Sequence, residues 1–158
     1  MPLSSDSVWS QIAHNRVIFV SVAAWAAAQS LKVLLGVIRE RRFNFKWFVG
    51  SGGMPSSHAA FVTASTVCVG ITYGFDSVIF AACLVFSFII LFDAQGVRRQ
   101  SGRQAGALNH ILDDVYAQRG LKLEPVMELL GHTPVEVLAG ACIGTLFAVG
   151  FMKNGGVN

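Results

Sequence analysis

Long apolar runs alternate with short polar connections along the chain. The apolar residues collect in four blocks: Val17–Ile38, Ala59–Tyr73, Ser77–Ala94 and Val135–Met152. A bilayer core of about 30 Å needs roughly 20 helical residues, with about 17 as a lower limit. The pattern therefore predicts an all-α, integral membrane helical bundle of about four transmembrane helices, one membrane-embedded domain over residues 1–158. The spans are expected over about 17–38, 55–73, 77–94 and 135–152, the second only if residues before Ala59 extend it. The segment "AWAAAQS" would suit cleavage of a secretory signal. The stretch before the first block holds one Arg and one Asp instead of a basic cluster, so an uncleaved span is expected.

The largest polar piece is the loop over 95–134. Within it, "RQAGALNHILDDVYAQR" sets Ala107, Ile111, Leu112 and Val115 on one helical stripe, with Asp113, Asp114 and Gln118 facing away. This predicts an amphipathic helix lying on the membrane or packing against the bundle, stopped by Gly120. A second short helix is expected from about Pro125 to Leu130, ending at Gly131.

Composition agrees with the pattern. The chain is 53% hydrophobic with mean hydropathy +0.56, and 13% of it is charged, about half the roughly 25% of soluble proteins. Arg39, Arg41, Arg42 and Lys46 follow the first span, and Arg98, Arg99, Arg103, Arg119 and Lys122 follow the third. Only Arg16 and Lys153 flank the other ends, and the "GFDS" hairpin at 74–77 has no basic residue. Both long loops are thus expected in the cytoplasm and both termini outside. The pI near 9.0 then reflects topology, and no nucleic-acid partner is expected. Cys68, Cys83 and Cys142 lie in three different apolar blocks and read as inert core thiols.

Against this background the polar residues inside the spans stand out. Lys32 interrupts the first block, and Arg39 follows close to two helical turns later, on the same face. Lys32 reads either as a snorkelling lysine or as a cation turned into the bundle, where ionisable groups are costly and serve function. Arg39 reads as a topology signal or as a second cation of the same site. In "GSGGMPSSHAA", Pro55 suits the first turn of a helix. The amides of Ser56, Ser57 and His58 would then project from the amino end of the second span, an arrangement that binds anions. The glycines before it permit close backbone approach, and His58 can hold or deliver a proton near neutral pH. The plainer reading is a serine-capped helix start with an interfacial histidine. In "GHTPVEVLAG", Thr133, Pro134 and Glu136 form a capping box with proline at the first helical position. His132 lies outside that explanation. Glu136, one turn on, would orient its imidazole, a role that competes with capping.

Alternating spans bring Lys32 and Arg39, His58, the "DAQGVRR" segment and the His132–Glu136 pair to one membrane face. Two histidines, several cations and a free-amide helix terminus describe a phosphate site. In phosphoryl transfer one imidazole attacks phosphorus, the other protonates the leaving alcohol, and cations stabilise the equatorial oxygens. No carboxylate cluster of the Mg²⁺-binding kind accompanies them, so neither metal nor other cofactor is expected.

The stretches "GGMPSSHAA", "DAQGVRRQSGRQA..LN" and "ELLGHTPVEV" together resemble the type-2 phosphatidic acid phosphatase superfamily, which also contains the vanadium-dependent haloperoxidases. The likeness is closest to its divergent bacterial and plastid branch and runs from about Gln29 to the end of the fourth span. The superfamily's first motif, Lys, six residues, Arg, Pro, is met by Lys32 and Arg39, with Glu40 in the proline place. Its second, Pro-Ser-Gly-His, is met by Pro55, Ser56 and His58, with Ser57 in the glycine place. Its third, Ser-Arg, five residues, His, three residues, Asp, keeps His132, has Glu136 for the aspartate and has Val126 for the arginine. Arg98 or Arg99 is inferred to supply the missing charge.

The resemblance implies that His132 forms a phosphohistidine, that Glu136 orients it and that His58 protonates the leaving group. Lys32, Arg39 and the amides of Ser56 and Ser57 would hold phosphate oxygens, and the chemistry would be free of metal. It further implies a lipid phosphate phosphatase acting on a phosphomonoester, with phosphatidylglycerol phosphate the best fit to a site facing the cytoplasm. The departures at Glu40, Val126 and Glu136 support an alternative, a non-catalytic membrane protein that binds phosphate or lipid, or serves as a scaffold. The expected partners are the membrane and a phosphorylated membrane lipid. Four short spans are also compatible with a homodimer. The expected location is a bacterial inner membrane or a plastid membrane.

Overall fold

The computed structural model describes residues 7–41, 53–117, 126 and 131–154, and all regular structure among them is α-helical. In chain order the helices are α1 (Val8–Ala13), α2 (Arg16–Glu40), α3 (Ser57–Tyr73), α4 (Val78–Gln95), α5 (Val97–Ala117) and α6 (Pro134–Asn154). Their starts follow from capping side chains that accept amides left over at a helix beginning. Asn15 accepts from Ile18 at 3.1 Å, Ser56 from Ala59 at 3.3 Å and Ser77 from Phe80 at 3.1 Å.

Among the described residues, three stretches are long and apolar enough to cross a bilayer: α2, the run Val78–Asp114 through α4 into α5, and Pro134–Lys153 of α6. The expected second span, α3, has 17 residues, about 26 Å of helix at roughly 1.5 Å per residue, short of a 30 Å core. It is nevertheless the central element, packed against α2, α4 and α6. Irregular backbone at membrane depth is tolerated where protein buries it. Pro55 and Ser56, just before α3, are both buried.

Contacts at the two ends set the helix directions. At one end, Val20 of α2 packs with Cys68 of α3 and with Ala148 and Met152 of α6. At the other, Ala59 of α3 packs with Ala94 of α4 and Val137 of α6. The carboxyl ends of α2 and α4 therefore lie beside the amino ends of α3 and α6.

Small residues allow this close packing. A Cβ at Gly140 would strike the Ser56 carbonyl oxygen, and one at Gly144 would strike that of Ala60. Hydroxyl pairs join the helices laterally: Ser21 to Ser65 at 2.7 Å and Thr66 to Ser87 at 2.6 Å. In lipid such bonds contribute where hydrophobic driving force is absent.

Past Gly96 the chain resumes directly as α5, so this helix begins earlier than its apolar stripe suggests. Ala107 and Ile111 of that stripe are exposed, and α5 packs on α4. Packing of the stripe against the bundle is thus not the arrangement these residues adopt. The expected stop at Gly120, and the second short helix apart from Val126, lie outside the described residues.

Candidate active site

His132 enters the bundle two residues before α6. Its backbone N–H donates to the Ala94 carbonyl at 3.0 Å, at the carboxyl end of α4. The ring is buried, with 4% of the residue's surface exposed, and Nδ1 lies 3.2 Å from Glu136 Oε2. The same Oε2 accepts the Thr133 N–H at 3.0 Å, and the Glu136 N–H reaches Thr133 Oγ1 at 3.4 Å. The capping bond and the contact with the imidazole, expected to compete for Glu136, therefore meet on one oxygen. A carboxylate oxygen has lone pairs for two donors, and Thr133 N and the His132 ring both reach it.

The start of α3 lies against this turn. The Ser56 N–H donates to the backbone carbonyl of Glu136 at 3.0 Å, while Ser56 Oγ accepts from Ala59. This corrects the expectation that the Ser56 amide projects unpaired. Pro55, expected in the first helical turn, instead precedes the cap. Ser57 and His58 occupy the first two helical positions, where amides have no intrahelical acceptor. Ser57 is buried, and the His58 side chain is exposed.

Lys32 continues the buried stripe of α2 through Ser21, Ala24 and Ala28, so it faces the bundle and does not snorkel to lipid. Its stem crosses Gly53, where an added Cβ would sit 3.5 Å from Lys32 Cε. Gly53 has φ +86°, a conformation that favours glycine.

The structure thus gathers Lys32, Ser56, Ser57, His132 and Glu136 at one end of the bundle, over a floor of Ala59, Leu91, Ala94 and Val137. Arg39 is not drawn in. It lies about 10 Å further along α2 at roughly 1.5 Å per residue, exposed and without an ion pair among the described residues. Arg98 and Arg99 fall in the first turn of α5, with side-chain positions outside what is described. Val126, at the missing arginine's position, is exposed and bonded through its backbone to Asn109. The Ala94 carbonyl had no signal in the sequence beyond the glycine two residues later, because a backbone acceptor carries no residue type.

Residues 13–147 match the family described as the Divergent PAP2 family. The chain is also similar to the uncharacterized membrane protein YuiD of Bacillus subtilis (strain 168), 36% identical over 150 residues, covering 88% of this chain and 95% of that one. No solved structure matches.

Proposed function

The chain belongs to the Divergent PAP2 family, and from that premise we propose that it is a metal-independent phosphatase of a phosphorylated membrane lipid. The observation that carries this reading is the pairing of the buried His132 with Glu136, 3.2 Å apart, at a helix start that shares one end of the bundle with the buried Lys32. A carboxylate only accepts, so Nδ1 carries the proton and the lone pair lies on Nε2. Nε2 attacks phosphorus; a P–N bond forms, the P–O bond to the lipid breaks, and His58 gives its proton to the departing oxygen. Water then attacks the phosphohistidine, His58 takes up its proton, and inorganic phosphate leaves.

Lys32 and the amide of Ser57 are the groups proposed to hold non-bridging oxygens, with Arg98 or Arg99 completing the charge and Arg39, expected to share in it, too far along α2 to do so. Ser56 acts as a tie between helices, because its N–H is already engaged. A site that only bound phosphate would gain little from a carboxylate holding one imidazole, which favours catalysis over a non-catalytic binder. We place the protein in a bacterial inner membrane with the site facing the cytoplasm, where phosphatidylglycerol phosphate is the best-fitting substrate.

The test is phosphate release by purified protein in lipid micelles with EDTA, offering phosphatidylglycerol phosphate, phosphatidic acid and a polyprenyl pyrophosphate. Release from one lipid, lost in both His132→Ala and His58→Ala, is the expected result. A folded protein that releases phosphate from none of them would be a binder or scaffold.

A further inference from the structure

Asn109 has no role in the steps above, yet the fold engages it in a specific way. It lies half-buried on α5, and its side-chain amide pairs with both backbone groups of one distant residue. Nδ2 donates to the Val126 carbonyl at 2.9 Å, and the Val126 N–H donates to Oδ1 at 2.7 Å. This two-point pairing has the donor–acceptor pattern of a β-ladder, so it sets the direction of the chain as well as its place. Val126 stands six residues before His132, a tether of at most about 20 Å. His132 is itself tied to Ala94 by its N–H. Ala94 and Asn109 belong to consecutive helices joined at Gly96. One helical unit therefore engages both Val126 and His132, with an amide side chain at 109 and a carbonyl at 94.

We infer that Asn109 is a positioning residue for His132, holding Val126, six residues before it, in a fixed place and direction. Few side chains can replace it. Alanine removes both bonds. Aspartate keeps an acceptor for the Val126 N–H but turns an oxygen toward the Val126 carbonyl. Nucleophilic attack is sensitive to such placement, since a shift of about 1 Å can cost roughly 100-fold in rate. The catalytic consequence rests on the phosphatase reading; the positional one does not.

The experiment compares full-length wild type, Asn109→Ala and Asn109→Asp in phospholipid nanodiscs. It measures hydrogen exchange at single amides together with kcat and KM for phosphate release from phosphatidylglycerol phosphate. In Asn109→Ala the amides of Val126 and His132 should exchange roughly tenfold faster, while those of α3 and α6 keep their protection. The same variant should lose about 10- to 100-fold in kcat with KM within about twofold, and Asn109→Asp should lie between. Wild-type exchange at His132 in a folded alanine variant would overturn the inference. So would loss of protection throughout α3 and α6 in both variants, which would make Asn109 a general folding residue. If wild type releases no phosphate, the phosphatase reading fails alone, and exchange at His132 still decides the role of Asn109.

Discussion

Glu136 joins three parts of the site with few atoms. Its Oε2 takes the Thr133 N–H and faces the His132 ring, and its carbonyl takes the Ser56 N–H. Glutamine can serve in a capping box as well as glutamate, but it lacks the charge that steadies an imidazolium. Glu136→Gln should therefore melt within a few degrees of wild type while kcat falls by roughly 10² to 10⁴. A variant with wild-type kcat would remove the orienting role. The histidines also predict a bell-shaped rate profile. In the proposed mechanism the rising limb needs a neutral His132 to attack, and the falling limb needs a protonated His58 to release the alcohol. Activity flat across about pH 5 to 9 would take both assignments away. Thr133, Pro134 and Glu136 are legible in sequence as a cap. That one oxygen both caps and touches the imidazole is not, because a linear pattern cannot give the angle between two donors.

Among the elements, the α3–α6 contact matters most to the site. Gly140 of α6 meets Ser56 and Ala59 at the start of α3, Gly144 meets Ala60 and Ala64, and Ala148 packs with Cys68, the two glycines bringing backbone close to backbone. Gly140 presses on the Ser56 carbonyl, one peptide from the Ser56–Glu136 bond. Gly140→Ala should thus lower stability by about 1–3 kcal/mol and reduce activity with it. Gly150, with nothing within 4 Å of an added Cβ, is the control: Gly150→Ala should be neutral or stabilise by up to about 1 kcal/mol. Thermal unfolding in detergent checks both, and equal melting of the two variants would refute the packing argument. The apolar runs of α2, α4 and α6 were legible because run length is local. The length of α3 was less so: its amino end stops where Ser56 meets Glu136, a contact from a helix far along the chain.

For the whole molecule, the charge asymmetry between loops predicts which side the site faces. With Cys68, Cys83 and Cys142 replaced by alanine, Ser7→Cys should react with an impermeant maleimide in intact cells. Gln100→Cys should react only once the cells are opened. The reverse pattern would turn the site outward and exclude a substrate confined to the cytoplasmic leaflet. Sequence alone determined that the chain is a helical membrane bundle, because apolar run length and helical period belong to each segment separately. It also marked the polar residues that a membrane interior would not hold without reason. Tertiary structure decided how those residues are used. Lys32 is buried because its stripe on α2 lies against the bundle, while Arg39, further along the same helix, is exposed. Ser56 lost its free amide to Glu136, and His132 was tied to the end of α4. Each outcome depends on where a neighbouring helix begins or ends, which no single stretch of sequence contains.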